Sequence, residues 1–153
     1  MRARTTAVGP ELAAASGGSL DWEHAACIST SSIADAESWA RACFERAPAP
    51  MRLFLVAGWW LLLLEGSSRS DATRVVGWPL VATTADTATL QRRSRLGIDA
   101  TLVLSTRDGT ATFASGMIFR NSFARVVWAL VAPTHRWAVR VVLDHAASEL
   151  ALT

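Results

Sequence analysis

The chain has no lysine, no tyrosine, only two cysteines and no dense run of charge. Without lysine it can form neither a lysine Schiff base nor the phosphate grip of a P-loop. Cys27 and Cys43 are too few for a disulfide scaffold or a Cys-rich zinc module. Charged residues make up 18% of 153, and the formal net charge is +2. No basic stretch is dense enough to track a phosphate backbone, so nucleic acid is not an expected partner. The longest apolar run, Leu53 to Leu64, falls short of the roughly 20 residues that span a bilayer, so no membrane span is expected. The first 20 residues lack the continuous apolar stretch of a signal peptide. They read as a flexible tail, residues 1–20, ahead of a single domain over residues 21–153. The expected location is the cytoplasm, with both thiols free.

What is present is a strongly apolar composition, 51% hydrophobic with seven tryptophans, enough for a real core in one domain. The segment Trp22–Ile33 reads as a strand. Asp35 or Ser38 then caps a helix through Trp39, Cys43 and Phe44, and Ala47-Pro48-Ala49-Pro50 stops it. A second helix, Met51 to Leu64, is apolar on nearly every face. Residues 66–71 form a loop.

Strands follow. Asp108-Gly109 is a two-residue type I′ hairpin signal. Counting back from it places Leu104 opposite Phe113, Leu102 opposite Ser115, Ala100 opposite Met117 and Ile98 opposite Phe119. One face is then apolar almost throughout, and the other carries Asp99, Thr101, Ser105 and Thr112. Arg95-Leu96-Gly97 fits a turn with a G1 bulge, which sets Ser94 opposite Ile98, Leu90 opposite Leu102 and Arg92 opposite Ala100. A five-residue loop before that strand sets Leu80 beside Leu90 and Trp78 beside Arg92. From Asn121 the chain reads as one long helix. Its stripe is Phe123, Val127, Leu130, Trp137 and Val141, widened by Val131, Ala138 and Val142. Arg140 and Asp144 pair on its polar side. Pro133 should bend or restart it.

The order of one strand, two helices, antiparallel strands and one long helix resembles the helix-grip, START-like superfamily, also called SRPBCC or polyketide-cyclase-like. The likeness is carried by Glu37-Ser38-Trp39-Ala40-Arg41-Ala42 with Phe44 and Pro48, by Val76-Gly77-Trp78, and by Leu130-Val131-Ala132-Pro133-Thr134-His135-Arg136. These segments are similar to an actinobacterial branch of it. The resemblance implies an α+β fold in which a curved antiparallel sheet wraps a long C-terminal helix, with two shorter helices after the first strand. It also implies a hydrophobic cavity between sheet and helix that holds lipid-like or polyketide-like molecules. Five strands are legible where six or seven are usual, so a small or closed cavity is expected.

Residues expected around such a cavity are Trp59, Trp60, Trp78, Phe113, Met117, Phe119 and Leu130, together with Arg92 and His135. Arg92 lies on the apolar face, where a guanidinium needs an anion, a carbonyl or an aromatic ring. It reads as a polar anchor stacked on Trp78, or as an edge residue reaching solvent beside Gln91, Arg93 and Arg95. His135 reads as an acid, base or hydrogen-bond donor toward a ligand, or as a structural histidine near the Pro133 kink. These two are the candidates for catalysis. His24 and His145, near the ends of elements, are expected to be exposed. Trp59 and Trp60, with Phe54, read as core and lid packing, or as a cavity mouth, a partner surface or a membrane-facing patch. Cys43 reads as a small buried hydrophobe, and Thr83–Thr89 as solvent-facing strand. No metal-ligand spacing appears, and no cofactor is expected. The first reading is therefore a module that binds a small hydrophobic molecule. The others are a cyclase, aromatase or isomerase on the same cavity, and a homodimer formed through the Leu53–Leu64 helix.

Overall fold

The Asp108-Gly109 turn organises the sheet. Both residues have positive φ, 50° and 68°, as a type I′ turn requires. In the computed structural model, which describes residues 2–67 and 69–152, this turn joins β6 (Ile98–Arg107) to β7 (Thr110–Phe119). Met1, Ser68 and Thr153, which fall in the expected tail, loop and domain, lie outside the described residues. Leu104 pairs with Phe113, Leu102 with Ser115, Ala100 with Met117 and Ile98 with Phe119, as turn chemistry predicts. β5 (Thr87–Arg93) sets Leu90 against Leu102 and Arg92 against Ala100. Gly97, at φ 106°, turns the chain between them, and Ser94 N donates to Ile98 O at 2.7 Å.

β4 (Trp78–Thr83) brings Leu80 against Leu90 by a different route from the expected one. Thr83 pairs with Ala88, so the loop is shorter than five residues, and a bulge between Leu80 and Ala82 restores the register. Thr89 is buried rather than solvent-facing. β3 (Arg74–Val75) closes this side. On the other side β2 (Trp22–Ser29) pairs with β7 and β1 (Arg4–Thr6) pairs with β2. Among the described residues the fold is α+β: an open sheet of seven antiparallel strands, ordered β1-β2-β7-β6-β5-β4-β3, with four helices. Seven strands replace the five expected, because β1 and β3 are too short to show alternation.

The stretch expected as a loose tail contains β1 and α1 (Pro10–Ser16). Pro10 opens α1, and Leu12 packs with Ala25, Val103, Ala114 and Leu20 on the outer face of the sheet. That face is apolar enough to need a cover, and a fully buried leucine contributes about 1.5–3 kcal/mol. On the inner face lie α2 (Ala36–Phe44) and α4 (Ser122–Ala151). Asp35, not Ser38, caps α2, accepting from Ser38 N at 2.8 Å. α3 (Ala49–Leu61) begins two residues earlier than expected and buries none of its residues fully. Leu102, Leu104, Phe113 and Met117 share one core with α4, and Phe119 packs on its margin.

α4 departs from expectation in three ways. Its buried line is Ala124, Trp128, Ala132, Ala138, Val139, Val142, Leu143, Ala146 and Leu150, while Phe123, Leu130 and Trp137 point outward. Four alanines interleaved with Trp128 and larger aliphatic side chains let the helix lie close to the sheet, so the buried stripe is shifted from the most apolar one and shares Ala138 and Val142 with it. The helix also continues through Pro133. Pro133 and Ala129 are both exposed, so the carbonyl that loses its donor faces water. Finally, Asp144 accepts from Ala3 N, and Arg140 makes no ion pair among the described residues.

Candidate functional site

Between α4, α3 and the inner sheet face lies a cavity of about 60 Å³. Hairpin parity brings Phe113 and Met117 to its floor with Ala100 and Leu102. Trp78 closes one side, α3 adds Leu55 and Trp59, Leu62 follows at its C-terminal end, and α4 adds Trp128, His135, Ala138, Val139 and Val142. Trp59 locks the near wall by edge-on contacts with Phe44 at 5.7 Å and Trp78 at 5.8 Å. A groove of about 270 Å³ runs between α3 and α4 outside this cavity. Leu55, Trp59, Leu62, Trp128, His135 and Ala138 form walls of both, so cavity and groove are separated by little more than these side chains.

The polar end of the site is a histidine and indole cluster. Cross-strand partners share a face, and His24 lies directly opposite Ser115. From α4, His135 Nε2 meets Ser115 Oγ at 2.9 Å. Trp22 stacks on His24 at 6.1 Å and stands edge-on to His135 at 5.7 Å and to Trp128 at 5.1 Å. The Arg136 guanidinium lies 5.6 Å over the Trp22 ring. Burial pushes His135 down to about 3, helped by the nearby His24 and Arg136. His24 is lowered for the same first reason, then by Arg136 and Arg140. Both rings are therefore neutral at pH 7. A neutral imidazole held this low exchanges hydrogen bonds well but is a poor proton acceptor. No carboxylate hydrogen-bonds to either ring among the described residues.

Several buried donors lack partners. Among the described residues no acceptor reaches Nε1 of Trp78 or of Trp128, and neither ring nitrogen of His24 is paired. Trp78 and Trp128 both line the cavity. Each unpaired buried donor costs about 1–3 kcal/mol.

The structure gathers Trp59, Trp78, Phe113, Met117 and His135 around one cavity. It does not bring the other expected residues there. Trp60 points to solvent, because the phase of α3 turns Trp59 inward. Leu130 lines the outer groove. Phe119 sits at the margin under the Arg125 guanidinium, 5.3 Å from its ring. Arg92 is buried and lies 5.9 Å from the rings of both Trp59 and Trp78, but it is not in the cavity wall. Its Nε donates to Glu65 O at 2.8 Å and its Nη2 to Gly66 O at 3.2 Å. The chain's own turn thus supplies carbonyls for two of the three guanidinium nitrogens, while Nη1 is buried without a partner among the described residues. His24, expected to be exposed, is buried. His145, only partly exposed, meets Arg46 O at 2.8 Å. Trp22, His24, Ser115 and Trp128 were not among the expected site residues. The signals that mark them are the alternation Trp22, His24, Ala26, Ile28 on one face of β2, and a serine placed by hairpin parity on an apolar face.

Cys43 is fully buried in α2, and burial pushes its thiol up, so it is inert toward electrophiles. Among the described residues no three His, Cys, Asp or Glu side chains are placed to hold a metal ion. No protein-family model matches the chain, and no curated protein matches it in sequence.

Proposed function

We propose that this chain binds a small, mostly apolar molecule carrying a hydrogen-bond acceptor, in the cavity between sheet and C-terminal helix. The observation that carries this reading is the pair of partnerless indole N–H groups, Trp78 and Trp128, in the wall of a cavity that is apolar apart from them and His135. A ligand carbonyl, ether or hydroxyl oxygen would pair a donor that the protein leaves alone. Apolar contact with Phe113, Met117 and Trp59 would supply most of the affinity, roughly 2.5 kcal/mol per 100 Å² buried.

About 60 Å³ is far below the roughly 300–1,000 Å³ of drug-sized sites. The reading therefore needs the cavity to extend into the groove between α3 and α4, with α3 as the wall that gives way. What supports this is the shared wall of the two spaces and the absence of any fully buried residue on α3. A helix-grip architecture is part of the same proposal. Its support is the element order and the placement of the cavity between the long helix and the sheet.

Native mass spectrometry of the purified protein tests the reading. A retained small molecule that acid unfolding releases is the expected result, and the Trp78→Phe/Trp128→Phe variant should retain less of it. A bare chain of 16.4 kDa in every preparation, with no rise in melting temperature on adding methyl decanoate, would overturn it.

A further inference from the structure

Among the described residues, eight of the twelve exposed large apolar side chains lie on α3 and α4. Trp60 and Leu61 on α3 and Phe123, Leu130 and Trp137 on α4 are between 47% and 78% exposed. Phe54 and Trp137 touch edge-on at 5.7 Å, which joins the two helices into one patch. Scattered exposed leucines need no explanation, but a contiguous patch of this kind does.

Charge is segregated onto the same helices. α3 and the part of α4 up to Leu143 carry Arg52, Arg125, Arg136 and Arg140 and no carboxylate. Arg125 is engaged by Asp21 at 3.6 Å. Arg52, Arg136 and Arg140 make no ion pair among the described residues. On a chain whose net charge is only +2, this face is cationic as well as apolar.

We infer that the outer face of α3 and α4 docks on an anionic phospholipid bilayer and lies on its surface. Tryptophans set among arginines at the rim of an apolar face suit the headgroup boundary, where indoles partition and guanidinium groups reach lipid phosphates. A second copy of this chain fits less well, because a two-fold contact lays the same cationic face on itself. α4 is long and apolar enough to cross a bilayer by length and composition. Its Ala124, Trp128, Ala132, Val139 and Val142 line is committed to the sheet, however, so it lies on the membrane in this fold. Leu130 and Thr134 line the groove on this side, so docking would bring the groove to the lipid. The inference goes beyond the ligand reading and stands on the outer face alone.

The test is cosedimentation with large unilamellar vesicles of phosphatidylcholine, with and without 30% phosphatidylglycerol. Binding to the anionic vesicles is expected to be on the order of 100-fold tighter at low salt, for three arginines that make no ion pair, and to weaken as salt rises. Trp60→Ser/Phe123→Ser should lose at least about tenfold in binding with an unchanged melting temperature, since both side chains are exposed. Arg52→Gln/Arg140→Gln should cut the preference for anionic vesicles to roughly fivefold, the share of the one arginine left. Equal binding to both vesicles, or to neither, overturns the inference. So does a dimer in sedimentation equilibrium that Trp60→Ser/Phe123→Ser converts to monomer, because the face is then covered by a second copy.

Discussion

Acidification from pH 7.5 to 5.0 should destabilise this fold through the buried His24 and the half-buried His135, before most carboxylates titrate. His135 is held at about 3 by burial beside Trp22 and Trp128, and His24 is lowered as well, against an ordinary 6.5. A base whose folded pKa is depressed takes its proton first in the unfolded chain. Its contribution is complete above about pH 6.5 and is lost as the pH falls toward the folded value. At pH 5.0, about 1.5 pH units below the ordinary value, His135 alone accounts for a loss of about 2 kcal/mol. With a urea slope of about 2 kcal/mol per molar, the midpoint falls by about 1 M. His24 adds a loss of the same sign. The charged neighbours, Arg136 and Arg140, oppose protonation, and the hydroxyl of Ser115 is indifferent to it. His135→Gln keeps a hydrogen-bonding group for Ser115 and removes the titration. Urea unfolding of parent and variant at the two pH values is the assay, with the difference between intervals as the readout. The variant's midpoint should drop about 1 M less than the parent's. Equal drops would refute the claim that the His135 ring is held neutral by its surroundings.

Three further perturbations probe the architecture. Phe113→Ala removes a floor residue of the cavity that is 1% exposed, and should lower stability by about 3–5 kcal/mol, read as the urea midpoint; an unchanged midpoint would contradict the hairpin register. Leu12→Ala should cost about 2–4 kcal/mol because α1 covers the outer sheet face, whereas a loose N-terminal tail would make it silent. Arg92→Met should cost about 1–3 kcal/mol and speed amide exchange through residues 62–66, since the carbonyls of Glu65 and Gly66 lose their donor. A neutral or stabilising Arg92→Met would place the guanidinium outside the fold's own needs.

The sheet was legible because a turn fixes parity and a one-residue slip exchanges faces. Asp108-Gly109 settled Leu104 against Phe113 and, one strand on, Arg92 against Ala100. Leu80 came to Leu90 through a shorter loop and a bulge, two departures that cancel. The long helix was legible as an element and not in its phase. Amphipathic periodicity favours the stripe of largest side chains, but contact with the sheet selected a line of alanines together with Trp128 and Leu143 and sent Leu130 and Trp137 outward. The burial of His24, expected to be exposed, was not legible because it depends on β2 pairing with β7, which no turn specifies. The partner of Arg92 is a loop carbonyl, and its placement follows from how residues 62–66 leave α3 rather than from any pattern of side chains.

The central claim is that the Trp78 and Trp128 indoles await a ligand acceptor. The most direct measurement is the ¹⁵N–¹H spectrum of the seven tryptophan indoles during titration with methyl decanoate, with Trp78→Phe and Trp128→Phe assigning the two resonances. The account predicts that at least one of these two moves downfield as a carbonyl pairs with it, while the exposed Trp60 stays in place. Movement confined to Trp60 and Trp137, with Trp78 and Trp128 unchanged at saturating ester, would contradict it.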